Sequence, residues 1–417
     1  MTRPWRAGAA IMALALCSGL AWAGEPNKPG VVEAAGQTVR YVARLDETVL
    51  TKADGAPEAR LITPVYERAG PRARSRPVLF AFNGGPGSSS VYLHLGVLGP
   101  RRLDLPGDAS PPAPPYRMVA NAETVLDTAD LVLIDPVGTG LSRLLDPGQH
   151  AAYYSVDGEG RYLARFIRQW LAQHGRTDAP VFILGESYGA MRAVAITKHL
   201  ILDPGPTVDL RGLMLVSQSI GVHETVQRRG NLVGQAVALP TLGAIAWYHH
   251  RAQTEGLDLQ AFLDKVQAFA TDDYLPALYA GNGLPAARRE AIADVLARLT
   301  GVSAKTWLAN DLQISKEAYR RLILADQGQQ VGRNDARFTG PLGGEDPSTK
   351  GLTQAHAWAI DQVLGQEFGA SAKDYRVSDD PQPSRWIYAR DQGQRQAGAG
   401  DRVDPAWGAV FGLPGLR

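Results

Sequence analysis

A single cysteine, Cys17, occurs among 417 residues. It falls in a segment expected to be cleaved, so no disulfide can hold the mature chain together. Neither sign of charge prevails. The 43 Lys and Arg residues stand against 42 Asp and Glu, which gives no ground for expecting nucleic acid or an anionic membrane as partner. Internal repeats are absent, and the proline-rich "PPAPPY" at 111–116 reads as a short loop. No apolar run is long enough to span a bilayer. What remains is globular composition, 45% apolar and 20% charged, in a chain long enough to bury a large core.

The first 23 residues read as an export signal. Arg3 and Arg6 supply the positive end, "AAIMALALCSGLAWA" the apolar stretch, and Ala21-Trp22-Ala23 a small-x-small cleavage site before Gly24. Leu16 before Cys17 argues against a lipid-anchored cysteine. The expectation is a protein of the bacterial periplasm or medium.

Along the mature chain, "QTVRYVARLDETVL" and "ARLITPVYERA" flank the turn-rich "TKADGAPE" and predict a hairpin. "RPVLFAFNGGPG" and "ADLVLIDPVGTG" are continuous apolar runs ending in glycine, as buried strands opening into loops do. "GRYLARFIRQWLAQHG" places Tyr162, Phe166, Ile167, Trp170 and Leu171 on one helical face. The strand "VFILG", a helix from Tyr188 to about Leu202 and the strand "LRGLMLVSQ" follow. Strands alternating with helices predict an α/β fold, a mostly parallel sheet covered on both faces. From about residue 220 to 376 the text turns helical, as in "LQAFLDKVQAFA" and "LPAARREAIADVLARLTG". The expected organisation is a signal at 1–23, a core at 24–219, a helical cap inserted at 220–376 and a return to the core at 377–417.

The chemistry centres on "PVFILGESYGAMRAVAI", where Ser187 stands in G-x-S-x-G between a strand and a helix. That context is the one a nucleophile elbow requires, since the turn lifts Oγ above the sheet and the helix N-terminus favours negative charge there. The Tyr188 N–H then faces the place where an oxyanion would form. "NGGPGSSS", Asn83 to Ser90, ends the earlier strand in glycines that let backbone approach a ligand. It has neither the Lys-Ser/Thr ending of a phosphate-binding loop nor the spacing of a dinucleotide fingerprint. No cofactor or metal is expected.

Taken in order, "NGGPGSSS", "IDPVGTGLSR" and "GESYGAM" resemble the serine carboxypeptidases, a family of the α/β-hydrolase fold. "LILADQGQQVGRNDARFTG" resembles its bacterial members, and the likeness runs over roughly residues 37 to 390. The resemblance implies that Ser187 is the nucleophile and that Gly85 and Tyr188 donate the oxyanion-hole N–H groups. It implies that Asn83, Gly84 and Glu186 bind the free α-carboxylate of a peptide substrate. Many relatives carry tryptophan two places before the asparagine, where this chain has Ala81. A substrate carboxylate beside Glu186 is bound well when one of the two acids keeps a proton, which sets an expectation of acidic preference.

A nucleophilic serine needs an imidazole and an acid to orient it, in the fold order Ser, Asp or Glu, His. Five histidines follow Ser187: His199, His223, His249, His250 and His356. None follows a late core strand, and adjacent His249 and His250 lack the further ligands of a metal site. The family's late strand with its acid and its Gly-His segment have no counterpart before Arg417. The expectation is therefore that the C-terminal strands, with the triad Asp and His, are missing, leaving the chain poorly soluble and inactive. Two alternatives stay open, an esterase or acyltransferase on the same scaffold and a catalytically dead peptide-binding protein.

Overall fold

The computed structural model describes residues 27–71, 76–220 and 230–378. The expected signal segment, His223 and the stretch "SRWIYAR" lie outside the described residues.

The hairpin forms as read, extended at its start by one more strand. Strand β1 (Lys28–Ala34) pairs antiparallel with β2 (Gln37–Thr51), and β2 with β3 (Pro57–Arg68), Tyr41 opposite Arg68 and Thr51 opposite Pro57. The glycine-ended apolar runs become β4 (Val78–Phe82) and β5 (Asp130–Leu133), followed by β6 (Val181–Glu186) and β7 (Leu210–Val216). Their order in the sheet is β1-β2-β3-β5-β4-β6-β7. The β4–β5, β4–β6 and β6–β7 pairs are parallel. A mixed sheet with a parallel centre and helices on both faces is the α/β architecture expected, and buried parallel strands read as unbroken apolar runs for that reason.

Period-two alternation divides the core between the two faces. Val78, Phe80 and Phe82 of β4 point to one side with Val132 and Ile183, where helices α1 (Val156–Gln173) and α2 (Tyr188–Leu202) cover them. Leu79 and Ala81 point to the other, with Leu131, Leu133 and Leu184. Helix α1 begins at Val156, four residues before the stretch that revealed it. Ser155 is the reason: its side chain accepts the Gly158 N–H at 3.0 Å and caps the helix at Val156.

Helices α3 (Leu232–Tyr248), α4 (Leu259–Phe269), α5 (Ala286–Thr300) and α6 (Lys316–Leu322) share a core of their own around Phe262, Leu296, Trp307 and Tyr319. A short hairpin, Gln329–Val331 with Thr339–Pro341, interrupts the expected run of helices and loops. Helix α7 (Leu352–Phe368) departs from the expected boundary. Its Ala359, Ile360, Val363 and Leu364 pack with Leu79, Leu131 and Leu133 of the sheet. The chain thus returns to the core before residue 377, because the apolar face of α7 covers the side that α1 and α2 leave open.

Candidate active site

Ser187 sits at the junction of β6 and α2 with φ 59° and ψ −123°. A non-glycine residue in that region costs about 1–3 kcal/mol and persists when its surroundings hold it. Here the Ser187 N–H donates to Val216 O at 2.9 Å on the neighbouring strand, and Ser219 Oγ donates to Ser187 O at 3.2 Å. The strained turn presents the serine at the N-terminus of a 15-residue helix, where the aligned peptide dipoles favour a developing negative charge.

The turn is possible because the backbones crowd together. A Cβ on Gly185 would lie 2.1 Å from Gly189 O, and one on Gly84 would lie 2.6 Å from both Glu186 O and Tyr188 N. Gly84 therefore presses the NGGPG loop directly onto the elbow. This brings Gly85 and Tyr188, the expected oxyanion donors, to adjoining stretches of backbone.

Asn83 and Glu186 are also brought together. The Leu93 N–H donates to Asn83 Oδ1 at 2.9 Å, which turns the amide nitrogen towards Glu186 Oε2 at 3.1 Å. Asn83 is buried and Glu186 partly exposed. The pair offers an amide N–H and a carboxyl side by side, a chemistry suited to a carboxylate when the carboxyl holds a proton. Ala81 is fully buried in the core on the far face.

The loop is tied at its far end as well. Ser90 N–H donates to Asp135 Oδ1 at 2.7 Å, and Ser90 Oγ donates to Ile134 O. A segment after α7 crosses it: Ser89 N–H donates to Val377 O at 2.9 Å, while Gly140 and Arg376 exchange backbone bonds at 2.8 and 3.0 Å. Burial pushes the Asp135 carboxyl up to about 6, against the opposing pull of Ser90 N–H, the Tyr375 hydroxyl and Arg143. Neither Asp135 nor Tyr375 was marked by sequence reasoning. The run "IDPVGTG" signalled a loop, and no local pattern ties residue 375 to it.

Among the described histidines that follow Ser187, three are engaged elsewhere. His199 lies twelve residues along α2 from Ser187, about 18 Å at 1.5 Å per residue. It bonds Asp203 Oδ2 at 2.9 Å and Asp157 Oδ1 at 3.1 Å. His249 Nε2 meets Ala336 O at 2.7 Å, and His250 is exposed just past the end of α3. His356, on α7, bonds Leu352 O through Nδ1 at 2.8 Å and packs against Tyr92 at a tilt of 55°, with centroids 4.6 Å apart. Burial holds its pKa below the usual imidazole value. Among the described residues no group of His, Cys, Asp and Glu suited to a metal ion occurs. A cleft of about 1080 Å³ lies among the helices of 232–346, lined by Trp247, Tyr248, Arg320 and Arg333, and none of the elbow residues borders it.

The family profile of serine carboxypeptidases matches residues 65–265, a span that contains β4 to β7, the NGGPGSSS loop and the elbow. Among solved structures, Kex1, a prohormone-processing carboxypeptidase of Saccharomyces cerevisiae, is 14% identical. That alignment covers 79% of this chain and 72% of the other at a TM-score of 0.33. A thermostable carboxyl esterase of Bacillus coagulans is 16% identical over 54% of this chain and 56% of its own, at a TM-score of 0.24. The comparison with curated proteins returns no match.

Proposed function

We propose, on the premise that residues 65–265 are a serine carboxypeptidase segment, that this chain is an exported peptidase releasing C-terminal amino acids through an acyl-enzyme on Ser187. The observation that carries the proposal is the contact of two loops. The NGGPG loop lies backbone to backbone on the strained serine turn, with Asn83 and Glu186 paired beside it. In this reading Ser187 Oγ attacks the last peptide carbonyl, and the N–H groups of Gly85 and Tyr188 receive the oxyanion. Asn83 and Glu186 hold the substrate's α-carboxylate, which fixes the scissile bond one residue from the end. The serine proton goes to a general base. Export, with a mature N-terminus at Gly24, follows from the leader composition alone.

The test combines a serine-directed fluorophosphonate with peptides differing only at the C-terminus. The purified protein should be labelled at Ser187 and should trim free-ended peptides, and C-terminal amidation should slow release sharply. Ser187→Ala should lose roughly 10⁶ in rate with its fold intact. Equal rates on free and amidated peptides would instead favour the esterase reading. A folded protein that binds free-ended peptides yet never labels would be a binding protein.

A further inference from the structure

The proposed mechanism leaves Arg192 unused, although this guanidinium is fully buried one turn into α2. Its Cζ lies 5.3 Å from the centroids of both the Phe82 and the Tyr188 rings. Its Nε is 2.9 Å from Glu159 Oε2 of α1, itself 2% exposed. Its Nη1 donates to the backbone carbonyl of Asn83. The hydroxyl of Tyr188 reaches the same Glu159 carboxyl. One planar ion thus joins the last residue of β4, the residue after the nucleophile and the helix on which both rest.

Stability alone does not account for such a group. The side chains beside it on α2 are Met191, Ala193 and Ala195, all buried, and an apolar residue would fill the site. Replacing a buried ion pair with apolar groups of similar volume is often neutral or stabilising. What an apolar pair cannot supply is a donor aimed at Asn83 O. That carbonyl shares its peptide plane with the Gly84 N–H, and the next peptide carries the Gly85 N–H. The Asn83 side chain is already held by Leu93, so Arg192 completes the fixation of residue 83 at its backbone. Lysine, a point charge without the fork, cannot serve Glu159 and Asn83 O in this geometry.

We propose that Arg192, anchored by Glu159, is a positioning residue that holds the Asn83–Gly85 backbone where its N–H groups meet the oxyanion; this rests on the reading of Ser187 as nucleophile. The experiment uses the full chain with two variants, Arg192→Met/Glu159→Leu, which removes both charges together, and Arg192→Lys, which keeps the charge. In each, Ser187 labelling by the fluorophosphonate and amide hydrogen exchange at residues 83–88 are measured, with exchange in α3 as the reference. Labelling should slow by roughly 10²-fold, the scale of a small misplacement at a reacting centre. Exchange at 83–88 should quicken by about ten-fold, the mark of local opening, while α3 stays unchanged. If the double variant does not fold, Arg192→Lys decides by the same two readings. Parental labelling and parental exchange in a folded variant overturn the proposal. If the parent itself never labels, the nucleophile reading fails instead, and exchange at 83–88 still decides whether Arg192 positions the loop.

Discussion

Asp135 is a buried acid whose contacts make it a measurable probe of the loop it anchors. Burial is the first cause of its shift to about 6. A carboxyl whose folded value lies above its unfolded one binds more protons in the folded state. The Asp135 contribution to stability is therefore present in full below about pH 4, is lost as pH rises towards 6 and is flat above it. A shift of this size corresponds to about 3 kcal/mol. Asp135→Asn keeps an acceptor for the Ser90 N–H without the charge, and should flatten that decline in chemical denaturation series taken between pH 4 and 7. A parental slope in the Asn variant would show that another group controls it.

At the scale of elements, the loop after strand β4 meets the serine turn through backbone. Gly84 is the contact, since its absent Cβ leaves Tyr188 N and Glu186 O within reach of the loop. Backbone atoms cannot swing aside as a flexible side chain does. Gly84→Ala should therefore push the loop off the elbow at a cost of about 1–3 kcal/mol. Ser187 labelling should drop by roughly 10²-fold through lost alignment. Thermal melts and labelling rates measured on the same preparation check both, and unchanged labelling would remove the loop from the oxyanion site. Helix α1 teaches a related lesson, because its first turn is set by the Ser155 cap rather than by its apolar stripe.

At the scale of the whole molecule, β7 bounds the described sheet. It pairs with β6 on one side, and Met214, Leu215 and Val216 are 38–42% exposed. A strand with apolar side chains and one paired edge invites edge-to-edge association. Leu215→Lys should raise the concentration at which light scattering begins, while stability changes by no more than about 0.5 kcal/mol, as at other surface positions. Loss of folding in that variant would show that the edge is covered. Among the described residues no helix is long and apolar enough to cross a membrane.

The sequence by itself determined the elements and the motif. Apolar runs ending in glycine read as buried strands opening into loops, and G-x-S-x-G between strand and helix leaves little freedom for Ser187. The pairing of Asn83 with Glu186 was reachable through resemblance, because both flank glycines that bring backbone together. Tertiary structure alone decided the rest. Arg192 in an apolar helix gives no sign of its target until β4 and α1 are packed around it, since Asn83 lies 109 residues away in the chain. The segment at 375–377 reaches the loop at 88–90 only after α7 has docked on the sheet. Helix α7 resembles its helical predecessors in composition, and only the uncovered apolar face of the sheet assigns it to the core. Contacts between residues distant in sequence leave no periodic trace, and these are the contacts that place the loop on the serine.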